Sequence, residues 1–222
     1  MLTKKNSPRP MALVYALAVP VCAFLLTAFS IREDRSLVST SSAITLVVDA
    51  AHGGTDTGAS SSGVAEKTTT LAVAKQVQML GEELGVKVLL TRDGDHNLSL
   101  ADRTNFSKLN NADVFLSLHM SVDPSDQSTN GINCMIAANE ENIESQRLVK
   151  NLHEQLQAID GMSFRGTKKG NPYVLKNNTG PAAIIELGYL SNSNDLNFMK
   201  DVRNQRTIAT GILKSVIAFK KD

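Results

Sequence analysis

Three short apolar runs each lead into a residue able to hold a metal or move a proton, and that recurrence constrains the fold more than any other feature of the chain. Ile44-Thr45-Leu46-Val47-Val48 stops at Asp49-Ala50-Ala51-His52-Gly53-Gly54, where paired glycines permit a tight turn. Val114-Phe115-Leu116-Ser117-Leu118 delivers His119, and Ala182-Ala183-Ile184-Ile185 delivers Glu186. Such runs read as buried strands. A fourth residue, Glu66, lies in Gly63-Val64-Ala65-Glu66-Lys67, at the entrance of a helix expected from about Thr68. In an open α/β sheet the loops leaving the carboxyl ends of strands share one edge, so residues far apart in sequence can meet there. Two imidazoles and a carboxylate suffice for a catalytic zinc and leave a position for water.

The remaining pattern agrees with an α/β fold. Strands are expected near 44–48, 86–91, 113–118, 131–137, 172–176 and 182–186. Helices are expected near 68–84, 98–110 and 142–158, with a short one after Asn194 and a last one near 202–219, where Ile208, Ile212 and Val216 keep helical spacing. Continuous apolar strands imply a twisted, mostly parallel sheet covered by helices on both faces, and mixed because the run Ile132 to Ala137 can pair either way. About 180 residues can bury one substantial core.

Each candidate has a plainer reading when taken alone. A histidine at a strand end is more often a surface or hydrogen-bonded residue than a ligand. Glu66 complements the positive end of the helix it opens, and Glu186 reads as a solvent-facing carboxylate. His96, in the polar stretch Asp93 to Asn97, and His153, on the polar side of its helix, read as exposed. Gly58 and Gly63 have the spacing of a phosphate-binding loop between strand and helix, yet Val64 and Ala65 stand where that loop needs Lys and Ser or Thr. Nucleotide is therefore not expected. A net charge of +1, with acidic and basic residues dispersed, gives no footprint for nucleic acid.

Taken together and in order, the motifs resemble the zinc-dependent N-acetylmuramoyl-L-alanine amidases of the amidase type 3 family. The matching segments are Val48-Asp49-Ala50-Ala51-His52-Gly53-Gly54 with Asp56 and Gly58, then Glu66-Lys67, Leu90-Thr91-Arg92, Arg103 before Asn111-Ala112-Asp113, Ser117-Leu118-His119, and Glu186 to Asn192. The resemblance covers nearly everything from Ile44 onward. It implies that His52, Glu66 and His119 hold Zn2+, that Glu186 is the catalytic carboxylate, and that the substrate is peptidoglycan. Two departures stand out: Ala51 where the family usually has glycine, and Met120-Ser121 where it usually has Ala-Asn or similar. Neither removes a ligand.

The implied chemistry suits the residue types. Zinc brings bound water towards a pKa of about 7 and polarises an amide carbonyl. Glu186 would then carry the proton from water to the departing amine of L-alanine. Two other classes remain in view: a peptidoglycan-binding module that has lost turnover, and a zinc hydrolase of another amide. Some relatives insert a helix between the second histidine and the catalytic glutamate that plugs the site until a partner removes it. Here one strand, one helix and one strand use that stretch, so no protein activator is expected.

The N-terminus addresses compartment. Residues 11–31 carry no charge and follow Lys4, Lys5 and Arg9 in the basic segment 1–10, a pattern for a transmembrane anchor or a signal segment. The charge bias favours an inside N-terminus and a catalytic domain, 44–222, in the bacterial envelope outside the cytoplasmic membrane, tethered by the serine-rich linker 32–43, or periplasmic or secreted if the segment is cleaved. Of two cysteines, Cys22 lies in the apolar segment and Cys134 in the domain, so no disulfide within the domain is expected.

Overall fold

Strand β1 (Ile44–Ala50) is the second strand from one edge of a six-stranded sheet. The computed structural model describes residues 44–138 and 142–221; the expectations for the basic segment, the apolar segment and the linker lie outside them. Among the described residues no helix is long and apolar enough to cross a membrane. After β1 come a small hairpin, β2 (Ser60–Ser61) and β3 (Val64–Ala65), helix α1 (Glu66–Glu83), β4 (Val86–Leu90), α2 (Leu100–Leu109), β5 (Val114–Ser121) and β6 (Ile132–Ala137). Then follow α3 (Ile143–Leu156), β7 (Phe164–Gly170), the single turn α4 (Tyr173–Lys176), β8 (Ala182–Tyr189), α5 (Ser193–Lys200) and α6 (Val202–Lys221).

The strand order is β4-β1-β5-β8-β6-β7. Strands β4, β1, β5 and β8 run parallel; β6 is antiparallel to β8 and parallel to β7. The run 132–137 therefore pairs both ways. Because side chains alternate across a strand, the sheet has two unlike faces. Leu46, Val48, Leu116, Leu118, Ala183 and Ile185 pack with Val73, Val77, Leu148, Leu152, Ile208 and Ile212 of α1, α3 and α6 in the larger core. The other face, with Val47, Phe115, Ala182 and Ile184, packs in a smaller cluster with Val174 and Leu175 of α4 and Phe106 of α2. Both faces are covered, but unequally.

Two expectations are corrected. Residues 172–176 form a helical turn, not a strand: Pro172 occupies its N-cap, Asn177 Nδ2 donates to the Tyr173 carbonyl at 2.9 Å, and Val174 and Leu175 are buried. The sixth strand of the sheet is instead Phe164-Arg165-Gly166-Thr167-Lys168-Lys169-Gly170, whose mostly exposed, basic composition suits an edge. Strands β5 and β8 also run past their expected ends. His119 and Glu186 thus stand within strands, as register partners just before a β-bulge.

Candidate metal centre

The turn after β1 presents His52 with φ +63°, a left-handed conformation that costs a non-glycine residue about 1–2 kcal/mol. Buried arginines hold it there. Arg103, from α2, bonds Asp49 Oδ1 at 2.7 Å and donates to the carbonyls of Ala50 and His52 at 2.9 Å each. Arg92 donates to the carbonyls of Ala50, Ala51, Gly94 and Lys67 at 2.8 to 3.0 Å. Burial, then the neighbouring Arg103 charge, lowers the Arg92 pKa. Asp49 also accepts from Thr91 Oγ1 at 2.6 Å and Ser117 Oγ at 2.7 Å, so no oxygen of this buried carboxylate is idle. Removing one partner of such a buried pair costs about 3–5 kcal/mol.

Glu66, the first residue of α1, lies between the histidines. Its Oε2 is 3.2 Å from His52 Nε2 and its Oε1 2.9 Å from His119 Nδ1. Backbone N–H groups fix the carboxylate from behind: Ala59 donates to Oε2 at 2.9 Å and Met120 to Oε1 at 3.0 Å. Burial alone pushes Glu66 upward, but bonds from His119, His52, Met120 and Ala59 hold it well below the usual carboxylate range. His52 is raised first by its bond to Glu66, against burial, and then by Asp56, whose Oδ2 sits 2.8 Å from Nδ1. Gly58 makes the close approach possible: a Cβ there would lie 2.6 Å from both Glu66 Oε2 and His52 Cδ2, at a φ of +63°.

Ligand atoms of His52, Glu66 and His119 all lie within 4.8 Å of one another. Two nitrogens and a carboxylate oxygen are a donor set that zinc accepts. Asp56 on the far nitrogen of His52 fixes the tautomer that leaves Nε2 facing the centre. The residues fit a divalent ion.

Glu186 stands on β8 beside His119, and its Oε2 is buried without a hydrogen-bond partner. It lines a cavity of about 610 Å³ with His52, His119, Asp56, Ser117 and Arg103. Leu98, Ser99 and Leu100 form one wall and Met135, Pro172, Tyr173 and Val174 the other. The cavity opens on the thinly covered face, between α2 and α4. A larger cleft of about 810 Å³, bounded by Asn142, Asn171, Asn178 and Pro181, contains none of these residues.

The sequence profile described as N-acetylmuramoyl-L-alanine amidase (Amidase_3) matches residues 46–218. The chain belongs to this family. CwlM, an N-acetylmuramoyl-L-alanine amidase of Bacillus licheniformis, is 34% identical over 170 residues, which are 76% of this chain and 65% of CwlM. The uncharacterised YqiI of Bacillus subtilis is 31% identical over 79% of this chain and 84% of its own length. For LytC of Bacillus subtilis the shared part is only 35% of that amidase, so the chain spans two thirds or less of these two named amidases. Among solved structures, the amidase AmiC2 of Nostoc punctiforme superposes with a TM-score of 0.75 at 28% identity, covering 81% of this chain and 98% of AmiC2. An amidase of Clostridium difficile 630 gives 0.77 at 26% identity, covering 82% and 99%.

Within this family frame, the structure brings together the four residues that the sequence singled out: His52, Glu66 and His119 form one cluster and Glu186 adjoins it. His96 and His153 are exposed as expected, although His153 stacks on Phe164 with ring centroids 4.5 Å apart. Sequence reasoning gave no role to Asp56, Arg92 or Arg103. Only their place in the matching segments marked them, because Arg103 reaches His52 from a residue 51 positions away.

Proposed function

We propose that this chain is a peptidoglycan hydrolase that cuts the amide bond between N-acetylmuramic acid and the L-alanine of the stem peptide. One observation carries the reading: Glu186, with an unpartnered buried oxygen, stands beside the His52, Glu66 and His119 cluster in a fold shared with amidases of that name. His52, Glu66 and His119 would hold a zinc ion, and Asp56 would orient His52. Such an ion, when bound, polarises an amide carbonyl and makes water a nucleophile near pH 7.

The other work falls to side chains. Glu186 takes the proton of the attacking water and hands it to the departing amine, which needs a carboxylate within reach of both faces of the scissile bond. Its orphaned oxygen leaves that reach free. Leu98, Leu100 and Tyr173, which line the cleft, would border the sugar-peptide junction. The substrate places the reaction in the cell wall, with the domain outside the cytoplasmic membrane and residues 11–31 as anchor or export signal, in wall remodelling or daughter-cell separation. No activator is invoked, and none should be needed for the purified chain to act.

Purified chain, zinc-loaded or chelated, is incubated with muramoyl peptides and the products weighed by mass spectrometry. Free stem peptide should appear only with metal, and Glu186→Gln should lower kcat by about 10²–10⁴-fold while leaving binding intact. Intact muramoyl-alanine bonds beside another cut amide would instead identify a different zinc hydrolase. Binding without turnover in the metal-loaded wild type would identify a wall-binding module.

A further inference from the structure

The cavity that holds Glu186 and the larger cleft of about 810 Å³ share a wall, and that wall is α4. Pro172, Tyr173 and Val174 line the cavity, while Asn171, Leu175 and Lys176 line the cleft. One helical turn separates the two spaces. The strands beneath place them in the same way: Met135 of β6 lines the cavity, and Ala137, two residues on and so on the same face, lines the cleft. On β8, Glu186 and Ile184 belong to the cavity, and Pro181, just before the strand, belongs to the cleft. At about 3.3 Å per residue, the cleft floor at Pro181 lies roughly 16 Å along the chain from Glu186. A further hollow of about 570 Å³ shares Thr179 and Gly180 with the cleft, so the depression continues beyond it.

The lining of the cleft selects the kind of ligand. It offers the amides of Asn142, Asn171 and Asn178 and the hydroxyl of Thr179. Its acid, Glu144, is engaged by Arg147 at 2.6 Å, and Lys176 adds a donor that a neutral hydroxyl also accepts. The Asn178 oxygen accepts from the Thr179 N–H at 2.9 Å, which turns Nδ2 the other way. That buried nitrogen has no hydrogen-bond partner among the described residues, so a ligand oxygen that reaches it is favoured. Amides donate and accept at once, the complement of the hydroxyl and acetamido groups of sugars. A peptide finds less here. Both β6 and β8 are paired on either side, so neither presents a free edge to an extended chain. Tyr173, 44% exposed on the turn between the two spaces, adds an aromatic surface against which a sugar ring can pack.

The geometry points to the cleft beyond α4 as a glycan subsite, which holds sugars of the strand whose muramoyl residue lies in the cavity. This deepens the amidase reading and rests on it. One sugar cannot bridge the distance between the two spaces, whereas a run of several can. The test titrates the full chain with peptide-free glycan of the wall polymer, a disaccharide and a hexasaccharide, in which there is no amide to the peptide to cut. The hexasaccharide should bind about tenfold more tightly. Asn178→Asp keeps the oxygen bonded to Thr179 and loses the donor, and Asn171→Ala alters an exposed position. Each should remove most of the gain and leave the disaccharide within about twofold. Equal binding of the two strands, no measurable binding of either, or a gain that survives in either folded variant would overturn the subsite. A gain that instead follows stem-peptide length on muramoyl peptides, and is lost in the variants, would make the cleft a peptide site and also overturn it. Turnover of muramoyl peptides is followed separately on the wild type. Length-dependent glycan binding without cleavage fells the amidase reading and leaves the cleft assigned; cleavage without that length dependence does the reverse.

Discussion

At the level of single residues, the centre is held by groups that never face the ion. The Asp56 carboxylate, 2.8 Å from His52 Nδ1, favours the tautomer with Nε2 turned inward. Asp56→Asn removes that charge with little change of shape, so zinc affinity should fall by about 10–100-fold, measured by competition with a chromophoric chelator. Unchanged affinity would strip Asp56 of its orienting role. Cys134 offers a pH prediction. Burial, then the Glu186 charge, pushes its thiol up to about 12 from the ordinary 9.0. Above pH 9 the unfolded chain releases this proton and the folded chain does not. The unfolded state then binds fewer protons, and stability falls with rising pH between about 9 and 12, by about 1.4 kcal/mol per unit. Cys134→Ala should flatten that slope in urea titrations, and native Cys134 should resist iodoacetamide at pH 8. His52, His119 and Glu186 were legible because each follows an apolar run, whereas Glu66 was marked as a ligand only by the family resemblance. Their support was not, since hydrogen bonds from Arg92 and Arg103 to the 50–52 backbone span 41 to 53 positions that no local pattern encodes.

Elements position the cavity walls, and α2 is the one whose start can be tuned without touching the centre. Ser99 accepts from the Asp102 N–H at 3.1 Å while Asp102 Oδ2 returns to the Ser99 N–H at 3.3 Å, a reciprocal cap. Ser99→Ala should cost about 1 kcal/mol, read as a lower urea midpoint. Because Leu98 and Leu100 flank the cap and line the cleft, KM should rise more than kcat falls. An unchanged midpoint would show that Arg103, bonded to Asp49, fixes the helix start alone. The strands β1, β5 and β8 and the amphipathic α6 were legible from their apolar periodicity. The edge strand β7 was not: six of its seven residues are Arg, Lys, Thr or Gly interleaved so that no face is apolar, and pairing with β6 alone defines it. Tyr173-Val174-Leu175 read as a strand because β propensity dominates three residues. Pro172 and burial against the second core decide for a helical turn.

At the scale of the molecule, unequal coverage of the sheet joins stability to site. Helices α1, α3 and α6 close one face over the larger core, whereas α2 and α4 leave the cavity open on the other. The three candidate ligands come from the turn after β1, the start of α1 and the end of β5, elements whose spacing the larger core sets. An ion held by them would cross-link all three, and binding to the folded state alone stabilises it. At 100 times the dissociation constant this amounts to about 2.7 kcal/mol, which for a domain of this size raises Tm by roughly 5–10 °C. Glu66→Ala or His119→Ala should abolish the zinc-dependent rise. Glu186→Gln should keep it, since that carboxylate stands beside the cluster and serves the proton. Calorimetry on the four proteins, with zinc and with chelator, therefore separates ligands from shuttle without reading activity. A rise lost in Glu186→Gln as well would make Glu186 a fourth ligand and leave the proton without a carrier.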